Sequence, residues 1–395
     1  MYFQSLDDKR ECVGVYKDGQ LHFDNLPTDL HRTWKYSAAL SSAEIEYGWL
    51  YCNGAALEEV CPESLKEDFQ KCVRKMRAFQ KSFELAKIDF RNHCFFDMVP
   101  HDFLVEFLEI KNQITKHTFE TYERPPNYEL LSRASEMLHE IAYQPINLNN
   151  EGCKEIFLNT SLRRSAQSLL NGSKYIDYNL FGTVTGRLTT RPGSLPILTM
   201  KKSLRKLVKP QNDWFLSLDY NGAEVRTLLS LSGEKQPTED IHTWNLENVL
   251  ERSDIPREEA KTIFFSWLYN AESDAINTNY YDRKKVLDKY FDGEYISTPM
   301  NRSIKVDQRR ALNYLIQSTT ADLVLDRAIA LSDFLKDKKS YISHLIHDEI
   351  VIDLDNSERG IVADLKEIFA NNQLDTFMVN LKCGKNWHDL ENLNL

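Results

Sequence analysis

Two stretches of the chain place carboxylates where apolar segments end or turn. In "HLIHDEIVID", residues 344–353, Asp348 and Glu349 interrupt an apolar alternation that predicts a strand, and in "WFLSLDYNG", residues 214–222, a buried strand is predicted to end at Asp219. A single acid at a strand end is more often a turn former or helix cap than a ligand. If the strands are antiparallel neighbours, however, Asp219 and Asp348 would repel each other unless a divalent cation lay between them. Carboxylates suit Mg²⁺, which also binds phosphates, so the pair predicts a phosphoryl-transfer site.

The second feature is a predicted helix that carries two cations and two aromatic rings along one ridge. In "REEAKTIFFSWLY", Arg257, Lys261, Phe265 and Tyr269 recur at four-residue steps, so two cations are followed by two rings on a slowly winding face. Taken alone, the helix is better explained by ordinary exposed charges and core aromatics than by a binding site. Beside a pair of acids, the ridge suits a nucleoside triphosphate, which needs cations for its phosphates and a flat apolar surface for its base.

Charge is distributed unevenly along the chain. The formal net charge of -10 disfavours a protein that coats nucleic acid indiscriminately. Residues 161–210 nevertheless carry ten Lys or Arg and a single acid, Asp177. This stretch is either a solvated basic face or a surface that follows a phosphate backbone.

The elements that must position these residues fall into three regions. Residues 10–60, with an Asp18-Gly19 turn, predict a hairpin and a small mixed module, and residues 62–144 predict long amphipathic helices. Strands and helices mix from about residue 146 onward. Residues 1–5 look like the remnant of a cleaved expression tag. Seven scattered cysteines without a C-x-x-C pair, and no long apolar run, predict a protein of the reducing cytoplasm without a membrane segment.

Three motifs in order resemble motifs A, B and C of the family A DNA polymerases, the DNA polymerase I-like group. They are "DYNGAEVRTLLSLSG" (219–233), "REEAKTIFFSWLYNA" (257–271) and "IHDEIV" (346–351). "GTVTGRLTT", "DIHTW" and "RRALNYLIQSTTADL" extend the resemblance, which runs from about Pro145 to the end of the chain. It implies a bacteriophage or mobile-element type of enzyme without an evident proofreading exonuclease.

The resemblance implies an α+β fold, the right-hand polymerase fold. An antiparallel palm sheet would carry reduced helical fingers and a helical thumb, with a small N-terminal mixed module. The implied division is residues 1–60 for the N-terminal module, 61–145 for the thumb-like lobe, 146–230 and 301–395 for the palm, and 231–300 for the fingers.

The resemblance also implies a role for each motif residue. Asp219, Asp348 and Glu349 would be the catalytic acids, and the metal ions would be bound by Asp219, Asp348 and the carbonyl of Tyr220. Glu224 would lie under the sugar, where a ribonucleotide's 2′-hydroxyl would clash. The residues implied to bind the deoxynucleoside triphosphate (dNTP) are Arg257, Lys261, Phe265, Tyr269, Glu224 and His242.

A further set of residues is implied to contact DNA. Arg309, Asn313 and Gln317 lie at four-residue steps and would share one helix face, which without the resemblance would read as a solvated surface. The complete implied set is Arg187, Lys201, Lys202, Arg205, Lys206, Arg309, Asn313, Gln317 and His347.

The implied reaction is attack of a primer 3′-oxygen on the α-phosphorus of a dNTP, with release of pyrophosphate. It uses two Mg²⁺ ions, for which Mn²⁺ can substitute. The expected partners are primer-template DNA and dNTPs, with a monomeric protein, unknown replisome contacts and, for a phage protein, the host cytoplasm as its location. A single-subunit RNA polymerase, a reverse transcriptase and a non-catalytic DNA-binding relative are the alternatives.

Overall fold

A computed structural model describes residues 1–9, 11–23, 25–40, 44–90, 92–252, 254–270, 273, 276 and 278–394. The chain forms two compact units, residues 1–136 and 137–395. This division is coarser than the one expected from the sequence, whose boundaries within each unit stay a prediction. Among the described residues, no helix combines the length and apolar character needed to span a bilayer.

The first unit combines short strands with long helices. Its strands are β1 (Gln4–Asp8), β2 (Glu11–Lys17), β3 (Gln20–His22), β4 (Arg32–Thr33) and β5 (Glu46–Tyr47). Its helices are α1 (Gly48–Tyr51), α2 (Leu57–Val60), α3 (Glu63–Leu85), α4 (His101–Thr121) and α5 (Tyr128–Ala142), and α5 contains the boundary between the units.

The predicted hairpin is confirmed. Strands β2 and β3 pair antiparallel up to Lys17 and Gln20, and the two turn residues, Asp18 and Gly19, have φ values of 48° and 83°. Positive φ at both positions is what a two-residue hairpin turn with the right-handed twist of the strands requires.

The start of the chain belongs to the folded unit. Phe3 and Gln4 are 0% and 1% exposed, and the Gln4 amide donates hydrogen bonds to the side chains of Asn112 and Thr115 on α4. A buried amide with two partners is a specific contact. Residues 3 and 4 are therefore integrated into the fold, and the interpretation of residues 1–5 as a tag remnant stays a prediction.

The second unit contains every motif singled out in the sequence. Its strands are β6 (Asn147–Leu148), β7 (Tyr178–Asn179), β8 (Thr189–Thr190), β9 (Val208–Lys209), β10 (Trp214–Tyr220), β11 (Tyr295–Ser297), β12 (Ser303–Lys305), β13 (Tyr341–Ile346), β14 (Glu349–Leu354), β15 (Val379–Gly384) and β16 (Glu391–Asn392). Its helices are α6 (Lys154–Leu158), α7 (Thr160–Asn171), α8 (Ala223–Ser232), α9 (Ile241–Asn248), α10 (Arg257–Tyr269), α11 (Arg283–Tyr290), α12 (Gln308–Leu335) and α13 (Val362–Ala370).

A five-stranded sheet forms the centre of this unit, in the order β13-β14-β10-β15-β16 with antiparallel pairing throughout. The central strand, β10, is buried along most of its length because α12 and α13 pack on the sheet. Tyr220 shows this packing: its ring stacks on Phe369 of α13 at 4.1 Å, and its hydroxyl donates to the Phe369 carbonyl at 2.6 Å.

Helices α8 to α12 share one hydrophobic core. Leu228 of α8, Phe264 of α10, Val286 of α11 and Leu315 of α12 are all 0% exposed and belong to one cluster. α8 begins after Gly222 (φ 68°) and ends at Gly233 (φ 90°), left-handed conformations that glycine adopts without strain. This core attaches the helix that carries the cation ridge to the helix that follows the β10 acid.

Candidate active site

The register of the central sheet brings the predicted acids together. Asp219 of β10 lies opposite Glu349 of β14, so both side chains emerge on one face of the sheet. Asp348 lies next to them in the two-residue loop that joins β13 to β14, where His347 has a φ of 51°. The Tyr220 amide approaches the Asp348 carbonyl at 3.5 Å. The acidic pair in the middle of an apolar alternation is thus the turn and first strand residue of a hairpin beside β10.

The electrostatics of these acids indicate a place for a cation. Burial, together with the charges of Asp348 and Glu349, raises the pKa of Asp219 to about 7. Burial also raises the pKa of Asp348. Acids in this situation can remain ionised together only if a positive charge compensates them, and carboxylate oxygens are the donors that Mg²⁺ prefers. Tyr220 can contribute only its backbone, because its ring is buried against Phe369.

Glu349 differs from the two aspartates in its contacts. It accepts a hydrogen bond from the Ser217 hydroxyl at 2.7 Å and does not line the pocket beside Asp219. This position suits support of the site, through its charge on Asp219, better than direct binding of a ligand.

A pocket of about 400 Å³ opens in front of the acids. It joins both aspartates to the start of α8, to α9 and to the cationic ridge of α10. The side chains and backbone that line it belong to Arg187, Asp219, Tyr220, Asn221, Gly222, Ala223, Glu224, His242, Arg257, Lys261, Phe265, Thr320, Ala321, His347, Asp348 and Asn380. Acids on one wall and cations on the other can hold a metal-bound polyphosphate between them.

The two cations of the ridge are in different situations. Arg257 forms a two-pronged ion pair with Asp240, Nε to Oδ1 at 2.9 Å and Nη2 to Oδ2 at 2.6 Å. Lys261 makes no ion pair or hydrogen bond within the described part of the chain, and its charge helps to lower the pKa of Asp348 against the effect of burial. Lys261 is therefore directly available to a ligand, whereas Arg257 already has an anionic partner.

Three aromatic side chains lie beside the two cations: His242 of α9, and Phe265 and Tyr269 of α10. His242 lines the pocket, is 4% exposed, and lies 5.8 Å from the Phe265 ring. Burial lowers the pKa of His242 to about 4, so the imidazole is neutral near pH 7 and its Nδ1 has no partner among the described residues. Tyr269 stacks on Phe265 at 5.8 Å and is 39% exposed, outside the pocket lining.

Glu224 and Arg187, expected to touch the sugar and the DNA, contact each other. Their side chains form a hydrogen-bonded ion pair at the edge of the pocket. Burial raises the pKa of Glu224, while the Arg187 charge acts in the opposite direction. Gly186, the residue before Arg187, lies against Arg302: a Cβ at Gly186 would be 2.6 Å from the Arg302 guanidinium. Arg302 also forms an ion pair with the fully buried Asp322, at 2.6 Å.

Of the basic residues that precede β9, some are exposed to solvent and others contact the C-terminal segment. Lys201 and Lys202 are exposed. Arg205 stacks on the Trp387 ring at 4.0 Å, and Lys206 lies 3.7 Å from Asp389. The exposed positions of Lys201 and Lys202 are compatible with the predicted contact to phosphate. For Arg205 and Lys206 such a contact would compete with Trp387 and Asp389, and their role in DNA binding stays a prediction.

The remaining predicted DNA residues lie on α12 and in the hairpin loop. Arg309 is exposed, and Asn313 and Gln317 are half-buried along the same helix. The Asn313 Oδ1 atom has no hydrogen-bond partner among the described residues. His347 is exposed and lines the pocket beside Asp348, whereas the three α12 residues do not line it.

Four residues with polar side chains at the site were not identified as site residues from the sequence. Asn221, Thr320 and Asn380 line the pocket, and Asp240 holds Arg257 at its edge. Asn380 lies opposite Asp219 across the β10 and β15 pair, and its hydrogen bond lowers the pKa of Asp219 against burial. Asp240 and Thr320 lie within "DIHTW" and "RRALNYLIQSTTADL", so their membership of these motifs was the one available signal.

Comparison with known proteins is consistent with this geometry. Residues 294–389 match the family model described as DNA polymerase family A. A DNA polymerase I from Borreliella burgdorferi is 24% identical over 64% of this chain and 37% of its own length, and the thermostable DNA polymerase I of Thermus filiformis is 25% identical over 55% and 32%. The DNA polymerase of Mycobacterium phage D29 is 30% identical over 35% of this chain and 28% of its own. The chain thus spans about a third of the length of these relatives.

A solved structure resembles the fold over most of the chain. The POL domain of Pol1 from M. smegmatis, in complex with DNA primer-template and dNTP, matches with a TM-score of 0.59 and 16% identity, covering 73% of this chain and 76% of that one. This likeness confirms the predicted α+β polymerase fold. The family model, the curated relatives and the fold all show similarity of this chain to DNA polymerase family A.

Proposed function

We propose that this chain is a template-directed DNA polymerase that adds deoxynucleotides to a primer 3′-end with release of pyrophosphate. The observation that carries the proposal is one pocket in which Asp219 and Asp348 face Arg257 and Lys261. The match of residues 294–389 to the DNA polymerase family A model supports the same activity, as does the likeness in fold to the POL domain of M. smegmatis Pol1, which was solved with primer-template and dNTP.

The acids of the proposed site would hold two Mg²⁺ ions, which Mn²⁺ can replace. When bound, the ions would lower the pKa of the primer 3′-hydroxyl and neutralise charge on the triphosphate. Asp219, Asp348 and the Tyr220 backbone supply the oxygen donors, and Glu349 supports the site while bound to Ser217. Burial and the charges of Asp348 and Glu349 raise the pKa of Asp219, so cation binding and deprotonation of Asp219 would be coupled.

The cationic wall would bind the nucleotide. Lys261 has no competing partner among the described residues and is placed to meet the phosphates, with Arg257 and the neutral His242 beside it. A neutral imidazole donates one hydrogen bond without adding charge. The stacked rings of Phe265 and Tyr269 then offer a flat surface at the end of the ridge.

Selection of the sugar and contact with DNA complete the proposal. Glu224, oriented by Arg187, would lie against the 2′ position and exclude ribonucleotides. Exposed Lys201 and Lys202 would follow phosphates, and His347 would meet the primer end. The polar residues Arg309, Asn313 and Gln317 on α12 would read minor-groove acceptors near the new base pair.

The cellular setting is part of the same proposal. All seven cysteines are free thiols, which suits a reducing cytoplasm, that of a host cell if a phage encodes the protein. The monomeric state and contacts with replisome proteins stay predictions.

Primer extension tests this function. Asp219→Asn and Asp348→Asn should each abolish extension with dNTPs and Mg²⁺ while leaving primer-template binding within about twofold, because the lost charges contact metal and not phosphate. Asp337→Asn, which removes an exposed acid from the turn before β13, is the matched control and should extend normally. Undiminished extension by either active-site variant would refute the assignment.

The same assay separates the alternatives. Efficient use of rNTPs on a DNA template would identify an RNA polymerase, and extension on an RNA template would identify a reverse transcriptase. Absence of any templated extension, with DNA binding intact, would indicate a non-catalytic relative.

A further inference from the structure

We propose that Asp240 is a positioning residue that holds Arg257 at the pocket edge and competes with the incoming triphosphate for it, thereby setting the affinity of the site for polyphosphate. This inference rests on the proposed function, because it assigns the cationic wall to a nucleotide. In this inference Asp240 weakens nucleotide binding, whereas the cations Arg257 and Lys261 strengthen it.

The geometry of the pair fills the bidentate edge of the guanidinium. Nε and Nη2 of Arg257 both donate to Asp240, and Nη1 donates to Glu258 at 2.5 Å. Arginine binds phosphate best through such a two-pronged edge. A triphosphate that uses this edge must therefore displace the Asp240 carboxylate or share Arg257 with it.

Asp240 is itself held firmly in place. Its Oδ1 accepts hydrogen bonds from the backbone amides of His242 at 3.1 Å and Thr243 at 2.9 Å, which caps α9, and Oδ2 accepts from the Asn221 amide at 2.7 Å. Although burial opposes its ionisation, the hydrogen bonds from Arg257 and Asn221 keep the pKa of Asp240 well below its usual range. The competitor is therefore a fixed and permanently charged carboxylate.

Hydrogen bonds from a buried arginine anchor the turn that contains Asp240. Arg226, 0% exposed, donates to the backbone carbonyls of Asn221, Pro237 and Glu239. Asn221 directly follows the strand that carries Asp219. Asp240 thus connects the segment that follows β10 to the first residue of α10.

The substitution Asp240→Asn removes the charge of this side chain and keeps its role as the N-cap of α9. Asparagine caps a helix about as well as aspartate and keeps the shape of the side chain, but it cannot hold Arg257 as an ion pair. The dissociation constant of inorganic tripolyphosphate, measured by calorimetry on the whole protein without DNA or metal, should fall about fivefold. Asp240→Glu keeps the charge and should leave the constant near the value of the unmodified protein.

A matched control comes from α12. Asp307 also caps a helix through the Arg310 amide and pairs with an arginine, its Oδ2 atom lying 2.9 Å from Arg310 Nε, but it lies outside the pocket lining. Asp307→Asn should leave tripolyphosphate binding unchanged. A gain in this variant as large as that in Asp240→Asn would attribute the effect to net charge and overturn the proposal.

A double-mutant cycle with Arg257→Gln separates competition from simple repulsion. If Asp240 acts by occupying Arg257, the fivefold gain must vanish when Arg257→Gln is already present. A gain that persists in that background, or no gain in Asp240→Asn itself, overturns the proposal.

A second readout uses the polymerase reaction. In primer extension the same Asp240→Asn change should lower the KM for dNTP by a similar factor, and an unchanged or higher KM would also contradict the inference. Since tripolyphosphate binding needs no templated synthesis, failure of the proposed polymerase activity would leave the binding test intact.

Discussion

Replacing Asp219 by Asn is expected to stabilise the metal-free protein, although it should abolish the proposed activity. The carboxyl group is buried beside Asp348 and Glu349, which raises its pKa from 3.8 to about 7. Asparagine has nearly the same shape and no charge, so it removes both the cost of burying a charge and the repulsion from the neighbouring acids without opening a cavity. Sites built for function often carry such a cost in stability.

The size and sign of the effect follow from proton linkage. Because the pKa is higher in the folded protein, the unfolded chain loses its proton first, and stability falls as pH rises from about 4 to about 7 and stays low above it. A pKa rise of this size corresponds to roughly 4 kcal/mol if the group were fully shielded. Partial exposure of the carboxylate to water reduces the expected gain in Asp219→Asn to about 2 kcal/mol.

Urea unfolding in EDTA measures this gain. The free energy of unfolding of Asp219→Asn should exceed that of the unmodified protein by about 2 kcal/mol near pH 8, and the difference should disappear near pH 4. Mg²⁺ at ten times its dissociation constant should stabilise the unmodified protein by about 1.4 kcal/mol and the variant by less. Asp337→Asn should show neither effect.

Two outcomes would refute the reasoning. Equal stability of Asp219→Asn and the unmodified protein near pH 8 would mean that neither burial nor the neighbouring acids raise the pKa of Asp219 in the folded state. A gain that is the same at every pH would mean that the substitution acts through packing and not through ionisation.

Three further substitutions test other contacts of the second unit. Glu224→Ala should raise the kcat/KM for rATP relative to dATP by about tenfold or more, because the acid proposed to meet a 2′-hydroxyl is removed, and an unchanged ratio would contradict that role. Arg302→Met should lower the free energy of unfolding by about 3–5 kcal/mol, because Asp322 is 0% exposed and loses its partner. Urea unfolding should show most of this loss recovered when Asp322→Leu is added, and an equal loss in single and double variants would contradict the pairing. Gly222→Ala should cost about 1–3 kcal/mol by the same measurement, since φ is 68° and the new Cβ would lie 2.5 Å from Ile241, and an unchanged urea midpoint would show that the turn relaxes freely.

Local pattern was sufficient to identify the elements that carry the chemistry. The strand ending near Asp219 and the helix starting after the Asn221-Gly222 turn were predicted from the sequence, and the structure has them as β10 and α8. The ridge of Arg257, Lys261, Phe265 and Tyr269 was predicted from four-residue spacing; the first three line one pocket, and Tyr269 stacks on Phe265 outside the pocket lining. These predictions succeed because strand and helix periodicity fix, within one element, which side chains share a face.

The partners of the charged side chains were decided only in three dimensions. From the sequence, Arg187 and Arg205 were predicted to contact DNA and Arg257 was predicted to bind the triphosphate. In the folded chain Arg187 pairs with Glu224, 37 residues away, Arg257 pairs with Asp240, 17 residues away, and Arg205 stacks on Trp387. None of these contacts follows from a helix or strand repeat.

The sequence by itself determined which residues are acids, cations and rings at the ends of their elements, and the family motifs that they form. Tertiary structure decided which of these charges meet one another before any ligand arrives. The physical reason is that periodicity acts over a few residues, whereas the energy of a charge depends on every group that burial brings within a few ångströms of it.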